Sequence, residues 1–146
     1  PVGSGRKVTD GADIAFLTIG PIGNYAQKAL EQLKELGISA AHYDMRFVKP
    51  LDELLLHEVF EKFDKVITVE DGCLMGGMGS AILEFMADNR YKADIVRLGI
   101  PDKYIHHGTQ EQLYHVCGFD VGGMVETAKK VLNDQDKQNT IKKAAN

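Results

Sequence analysis

Residues 66–86 read VITVEDGCLMGGMGSAILEFM. The run 66–69 has the length and β-branched character of a strand. Glu70 and Asp71 close it, Gly72, Gly76, Gly77 and Gly79 make a loop, and from Ser80 apolar residues recur at helical spacing. In a parallel sheet, strand, glycine loop and helix aim the strand's carboxyl end and the helix's positive end at one place. Ligands or partner surfaces dock there.

Upstream, DIAFLTIG (13–20) is a nearly continuous apolar run, as expected of a strand covered on both faces by helices. Gly20, Pro21 and Gly23 break it. Ala26, Ala29, Leu30 and Leu33 then fall on one helical face, and Gly37 supplies a left-handed cap. ISAAHYD (38–44) is a second strand, parallel to the first because a whole helix connects them. After an irregular loop at 45–50, Asp52 caps a helix carrying Leu55, Val59, Phe60 and Phe63.

Downstream, 93–98 is a further strand and GIPDKYIHHG (99–108) a loop. Thr109 and Gln112 have capping-box spacing, with Leu113, Val116 and Cys117 as the apolar face before Gly118. Asp120 caps a last helix lined by Met124, Val125, Ala128, Val131 and Leu132. The alternation predicts an α/β fold, one domain over 12–133. Residues 1–11 form a linker or a short edge strand around Val8, and the polar end 134–146 is expected to fray.

The 146 residues suffice for one core that buries roughly 68–70% of the unfolded chain's surface. A net charge of -4 and a pI near 5.7 offer no basic footprint for nucleic acid. No apolar run approaches the ~20 residues of a membrane span. Two cysteines, Cys73 and Cys117, make no disulfide framework and suit a reducing compartment, so the cytoplasm is expected. Pro1 in place of Met suggests a piece of a longer protein.

The glycine loop fails both phosphate-cradle templates. Ile82 occupies the third glycine position of G-x-G-x-x-G, and Met78 stands where a Walker loop needs lysine. Sharp turning and close packing of helix on sheet explain the glycines better than a small ligand does. Contact with another domain or subunit fits the same geometry. Glu70 and Asp71 must point to opposite faces, so they are no acid–base pair, and such acids commonly solvate the loop or bind a nearby helix start. The histidines lack metal-ligand spacing, and no serine, cysteine or lysine has a visible activating partner. No catalytic, cofactor-binding or metal residue is therefore assigned. The candidate interface or crevice residues are Gly20, Arg46, Lys49, Glu70, Asp71, Gly76, Gly77, Gly79, Ser80 and His107.

DMRFVKPLDE (44–53), VITVEDG (66–72), GGMGSAILEFMAD (76–88) and RLGIPDKYIHHGTQEQLYHVCGFD (97–120) together resemble the carboxyl-terminal domain of the 1-deoxy-D-xylulose-5-phosphate synthase family, over about residues 5–132. The last segment is the most specific. The resemblance implies a three-layer α/β/α sandwich on a mixed, mostly parallel five-stranded sheet, with the strand around Val8 as the odd one. It implies an enzyme that condenses pyruvate with glyceraldehyde 3-phosphate for isoprenoid precursors by the non-mevalonate route, using thiamine diphosphate and magnesium. The residues that hold those cofactors lie upstream in that family. The isolated segment is then expected to be inactive and cofactor-free, packing on preceding domains and on a second subunit of a homodimer. The alternatives are the matching domain of a 2-oxoacid dehydrogenase E1 beta chain and a free-standing module that binds a small anion.

Overall fold

The computed structural model describes residues 1–144, with side chains described through Asp134. Each apolar run becomes a strand of one sheet: β1 (Arg6–Thr9), β2 (Ile14–Ile19), β3 (Ala40–Asp44), β4 (Lys65–Cys73) and β5 (Asp94–Ile100). Their order is β1-β3-β2-β4-β5, parallel throughout except where β1 pairs antiparallel with β3. The strand around Val8 is thus the reversed one. Helices α1 (Gly23–Glu35), α2 (Glu53–Lys62), α3 (Met78–Asp88), α4 (Gln110–Cys117) and α5 (Val121–Ala144) cover the sheet.

Strand alternation sorts the core into two halves. Ile14, Phe16, Ile67 and Val69 pack with Ala26, Leu33, Tyr114, Met124 and Ala128, so α1, α4 and α5 form one outer layer. Ala15, Leu17, Tyr43 and Val66 pack with Leu56, Phe60, Ile82 and Phe85, so α2 and α3 form the other. This is the expected three-layer sandwich. Helix caps follow the residue chemistry: Asp52 accepts from the Leu55 amide at 3.0 Å, and Thr109 and Gln112 complete a capping box.

Three boundaries differ from the sequence reading. β4 does not stop at Val69 but continues to Cys73, because a bulge lets 70–72 arch before Cys73 pairs again with Ile100. β5 runs to Ile100, two residues beyond Leu98. α3 opens at Met78, ahead of Ser80. The face of α4 also differs. Tyr114 is its buried residue, while Val116 is 61% exposed and Leu113 and Cys117 only half-buried. The last helix continues past Asp134. The frayed tail expected at 134–146 falls largely on side chains, and on residues 145–146, that lie outside the described ones.

Gly118 ends α4 with φ 79°, a conformation that costs a side chain about 1–2 kcal/mol. Gly118→Ala should therefore lower the urea midpoint by an amount equivalent to about 1 kcal/mol without changing the m-value. An unchanged midpoint would refute the cap.

Candidate functional site

The topological switch lies between β2 and β4, whose ends meet where Ile19 pairs with Glu70. Glu70 is 5% exposed and points toward α3. Its Oε2 accepts from the Met78 amide at 2.7 Å and its Oε1 from the Gly79 amide at 3.0 Å. A helix start with no side-chain cap of its own is thereby capped by an acid eight positions earlier.

Two glycines make that approach fit. A Cβ at Gly77 would lie 2.3 Å from both the Cys73 carbonyl oxygen and Glu70 Oε2, and one at Gly79 would lie 2.8 Å from Thr68 Oγ1. Ser80 Oγ donates to the Leu74 carbonyl at 2.8 Å and accepts from the Gly76 amide at 3.1 Å. Arg97 Nη1 donates to the same carbonyl at 2.8 Å and to Ser80 Oγ at 3.1 Å. The hydroxyl's one proton and both its lone pairs are used. The loop is braced from inside.

Asp71 projects to the opposite face and is exposed. The Tyr114 hydroxyl donates to Asp71 Oδ2 at 2.6 Å, and Gln110 Nε2 donates to the Tyr114 oxygen at 2.8 Å. Burial, and then the bond to Asp71, push the Tyr114 phenol up to about 12, so it remains a donor at neutral pH. Beside this chain lies a cavity of about 350 Å³ between the sheet edge and α4.

The switch thus gathers Gly20, Glu70, Asp71, Gly76, Gly77, Gly79 and Ser80. Gly20, with φ 79°, turns the chain just after the Ile19–Glu70 pair. Arg46 and Lys49 lie apart from this group, beyond β3, which β2 separates from β4. Both are exposed, and Arg46 rests over the Phe47 ring with Nη1 3.4 Å from the Ser4 carbonyl oxygen. His107 is exposed and lines a separate cavity of about 280 Å³ with Tyr104, Gln112 and Leu113.

Sequence reasoning passed over Arg97, Gln110, Tyr114 and His42. Arg97 did carry a signal, a charge inside the apolar run of β5. His42 is 2% exposed, its Nε2 is 2.8 Å from Thr18 Oγ1, and its Nδ1 has no partner. Burial pushes its imidazole down to about 4.

Among the described residues, no group of three or more His, Cys, Asp and Glu side chains is placed to hold a metal ion. No described helix is long and apolar enough to cross a membrane. Cys73 and Cys117 are free thiols.

These features define a doubly wound α/β domain whose switch-point loop is occupied by its own side chains. The chain belongs to the transketolase C-terminal domain family, whose model, described as "Transketolase, C-terminal domain", matches residues 3–133. It is 58% identical over 130 residues to the 1-deoxy-D-xylulose-5-phosphate synthase of Cytophaga hutchinsonii, covering 89% of this chain and 20% of that protein. The enzyme of the same name from Bacteroides thetaiotaomicron is 50% identical over 147 residues, covering 100% of this chain and 23% of that one. The chain thus spans about a fifth of the length of the curated relatives it matches.

Among solved structures, one titled "Split gene transketolase, inactive beta4 tetramer" aligns with a TM-score of 0.83 at 29% identity, over 90% of this chain and 43% of that one. A transketolase of Pichia stipitis shares the fold, with a TM-score of 0.62 at 18% identity over 92% of this chain and 19% of that one.

Proposed function

We propose that this chain serves as the carboxyl-terminal domain of a 1-deoxy-D-xylulose-5-phosphate synthase. It packs on the preceding domains and a second subunit, while the condensation of pyruvate with glyceraldehyde 3-phosphate proceeds elsewhere in the polypeptide. The names of the relatives favour the synthase over a 2-oxoacid dehydrogenase E1 beta chain. The observation that carries the supporting role is Glu70, whose carboxylate takes the α3 amides that an anionic ligand would need. That carboxylate also argues against a free-standing anion module. Met75 and Tyr104, 71% and 76% exposed, stand on the loops after β4 and β5 and offer apolar surface to a partner.

Thiamine diphosphate with magnesium does not fit these residues. A diphosphate would meet the Glu70 carboxylate at the start of α3, and the described carboxylates and histidines are too scattered for a metal cluster. No catalytic step is therefore assigned to this chain. The free thiols of Cys73 and Cys117 suit a cytoplasmic setting. Calorimetry should detect no thiamine diphosphate binding by this chain in the presence of magnesium. Micromolar binding would overturn the assignment.

A further inference from the structure

We propose that the cavity beside Asp71 is a socket for one basic side chain, arginine or lysine, carried by the polypeptide against which this domain packs. The inference rests on the supporting role proposed above and names the partner group at its switch-point face. The socket of about 350 Å³ is walled by Ile100, Ile105, Leu113, Cys117 and Phe119, and its polar rim is Asp71 and Gln110.

The rim presents acceptors. Tyr114 spends its proton on Asp71 Oδ2, and Gln110 spends an amide proton on Tyr114. Asp71 Oδ1 and the Gln110 carbonyl are left without a donor from these bonds. Among the described residues no Lys, Arg or His makes an ion pair with Asp71, although it is exposed. An anionic guest would be repelled, and a purely apolar one would leave the carboxylate unused. A cation on an aliphatic stem satisfies both parts: its head meets the carboxylate and its methylenes cover the apolar wall.

Two observations point to a polypeptide as the source. The curated relatives are about five times as long as this chain, so most of such a protein lies outside it. The reversed strand β1 pairs Arg6 with Asp44 at the carboxyl end of β3, so residues 1–5 stand at the same, carboxyl end of the sheet as the socket. Overall charge agrees, at -4 for this chain.

The test titrates the 146-residue chain with n-butylguanidinium, a mimic of the arginine side chain, and with its neutral isostere n-butylurea, followed by NMR. Butylguanidinium should shift the Ile105 and Leu113 methyl signals saturably, and butylurea should bind about tenfold more weakly or not at all. Asp71→Asn, which keeps an oxygen for Tyr114, should weaken butylguanidinium about tenfold. Leu113→Trp, which fills the socket and leaves the charge, should abolish binding even if Asp71→Asn fails to fold. Equal binding of the two probes, indifference to either folded variant, or no shifts at all would each overturn the socket. Thiamine diphosphate calorimetry is independent of these outcomes, so the two readings fail separately.

Discussion

Glu70→Ala should destabilise the domain by about 3 kcal/mol or more, the largest single-residue effect expected from the switch-point loop. The carboxylate makes two charge-assisted bonds to buried amides, each worth roughly 1.5–3 kcal/mol. Alanine removes both and leaves two donors without partners, in a place the Gly77 and Gly79 backbones have closed to bulkier groups. For a chain of this size that predicts a drop in Tm of roughly 10 °C. Glu70→Gln should fall in between, because one amide oxygen can accept while the amide nitrogen faces a second donor. A Glu70→Ala protein within about 1 kcal/mol of the parent in urea unfolding would show that the loop is held by something else.

The second large effect is in pH. His42 is neutral in the folded chain with a value of about 4, against 6.5 unfolded. The unfolded chain binds the proton first, so stability rises with pH between about 4 and 6.5 and is level above that. The full span is worth roughly 3 kcal/mol. The groups that bear on the ring are Thr18, which bonds it, Asp44, which favours the charged form, and Arg6, which opposes it. Gly23 at the start of α1 lies against it too, since a Cβ there would be 3.5 Å from the ring. Subtracting the stability–pH profile of His42→Gln from that of the parent should isolate this slope, because the carboxylates titrate alike in both. Parallel profiles from pH 4 to 7 would rule the histidine out as its source.

How far the residues announced this architecture depends on whether the deciding contact was local. The apolar runs around Phe16, Ala41, Ile67 and Val96, the helical spacing of Ala26 to Leu33 and the Thr109–Gln112 box are local patterns, and each became its element. The continuation of β4 through Glu70 and Asp71 was not legible, because two acids and a glycine read as a strand's end. Pairing of Glu70 with Ile19 on one side and of Cys73 with Ile100 on the other makes them strand. α3 opened two residues ahead of expectation for a related reason. Its cap is an acid reached through the fold, where a cap search looks for a serine or aspartate next door.

The α4 face was misjudged because apolar counting favoured Val116 over Tyr114. The tyrosine ring is buried against Tyr25 and Phe119, and its hydroxyl is satisfied by Asp71, 43 positions away. At the switch point, Gly20, Glu70 and the glycine loop come together through strand order, which no local pattern shows. Arg46 and Lys49, expected among the interface or crevice residues, stand on the loop after β3, which β2 separates from β4.

The reversed direction of β1 bears on how this domain would behave as cargo on a tether. From β1 across to β5 is four strand spacings, roughly 19 Å, which about six extended residues can bridge. Anything joined ahead of residue 1 therefore leaves on the side of the Asp71 socket, within a short linker's reach. Confined that closely, a weak pairing would act at an effective concentration in the millimolar range and hold where the same two pieces, mixed as separate molecules, would drift apart.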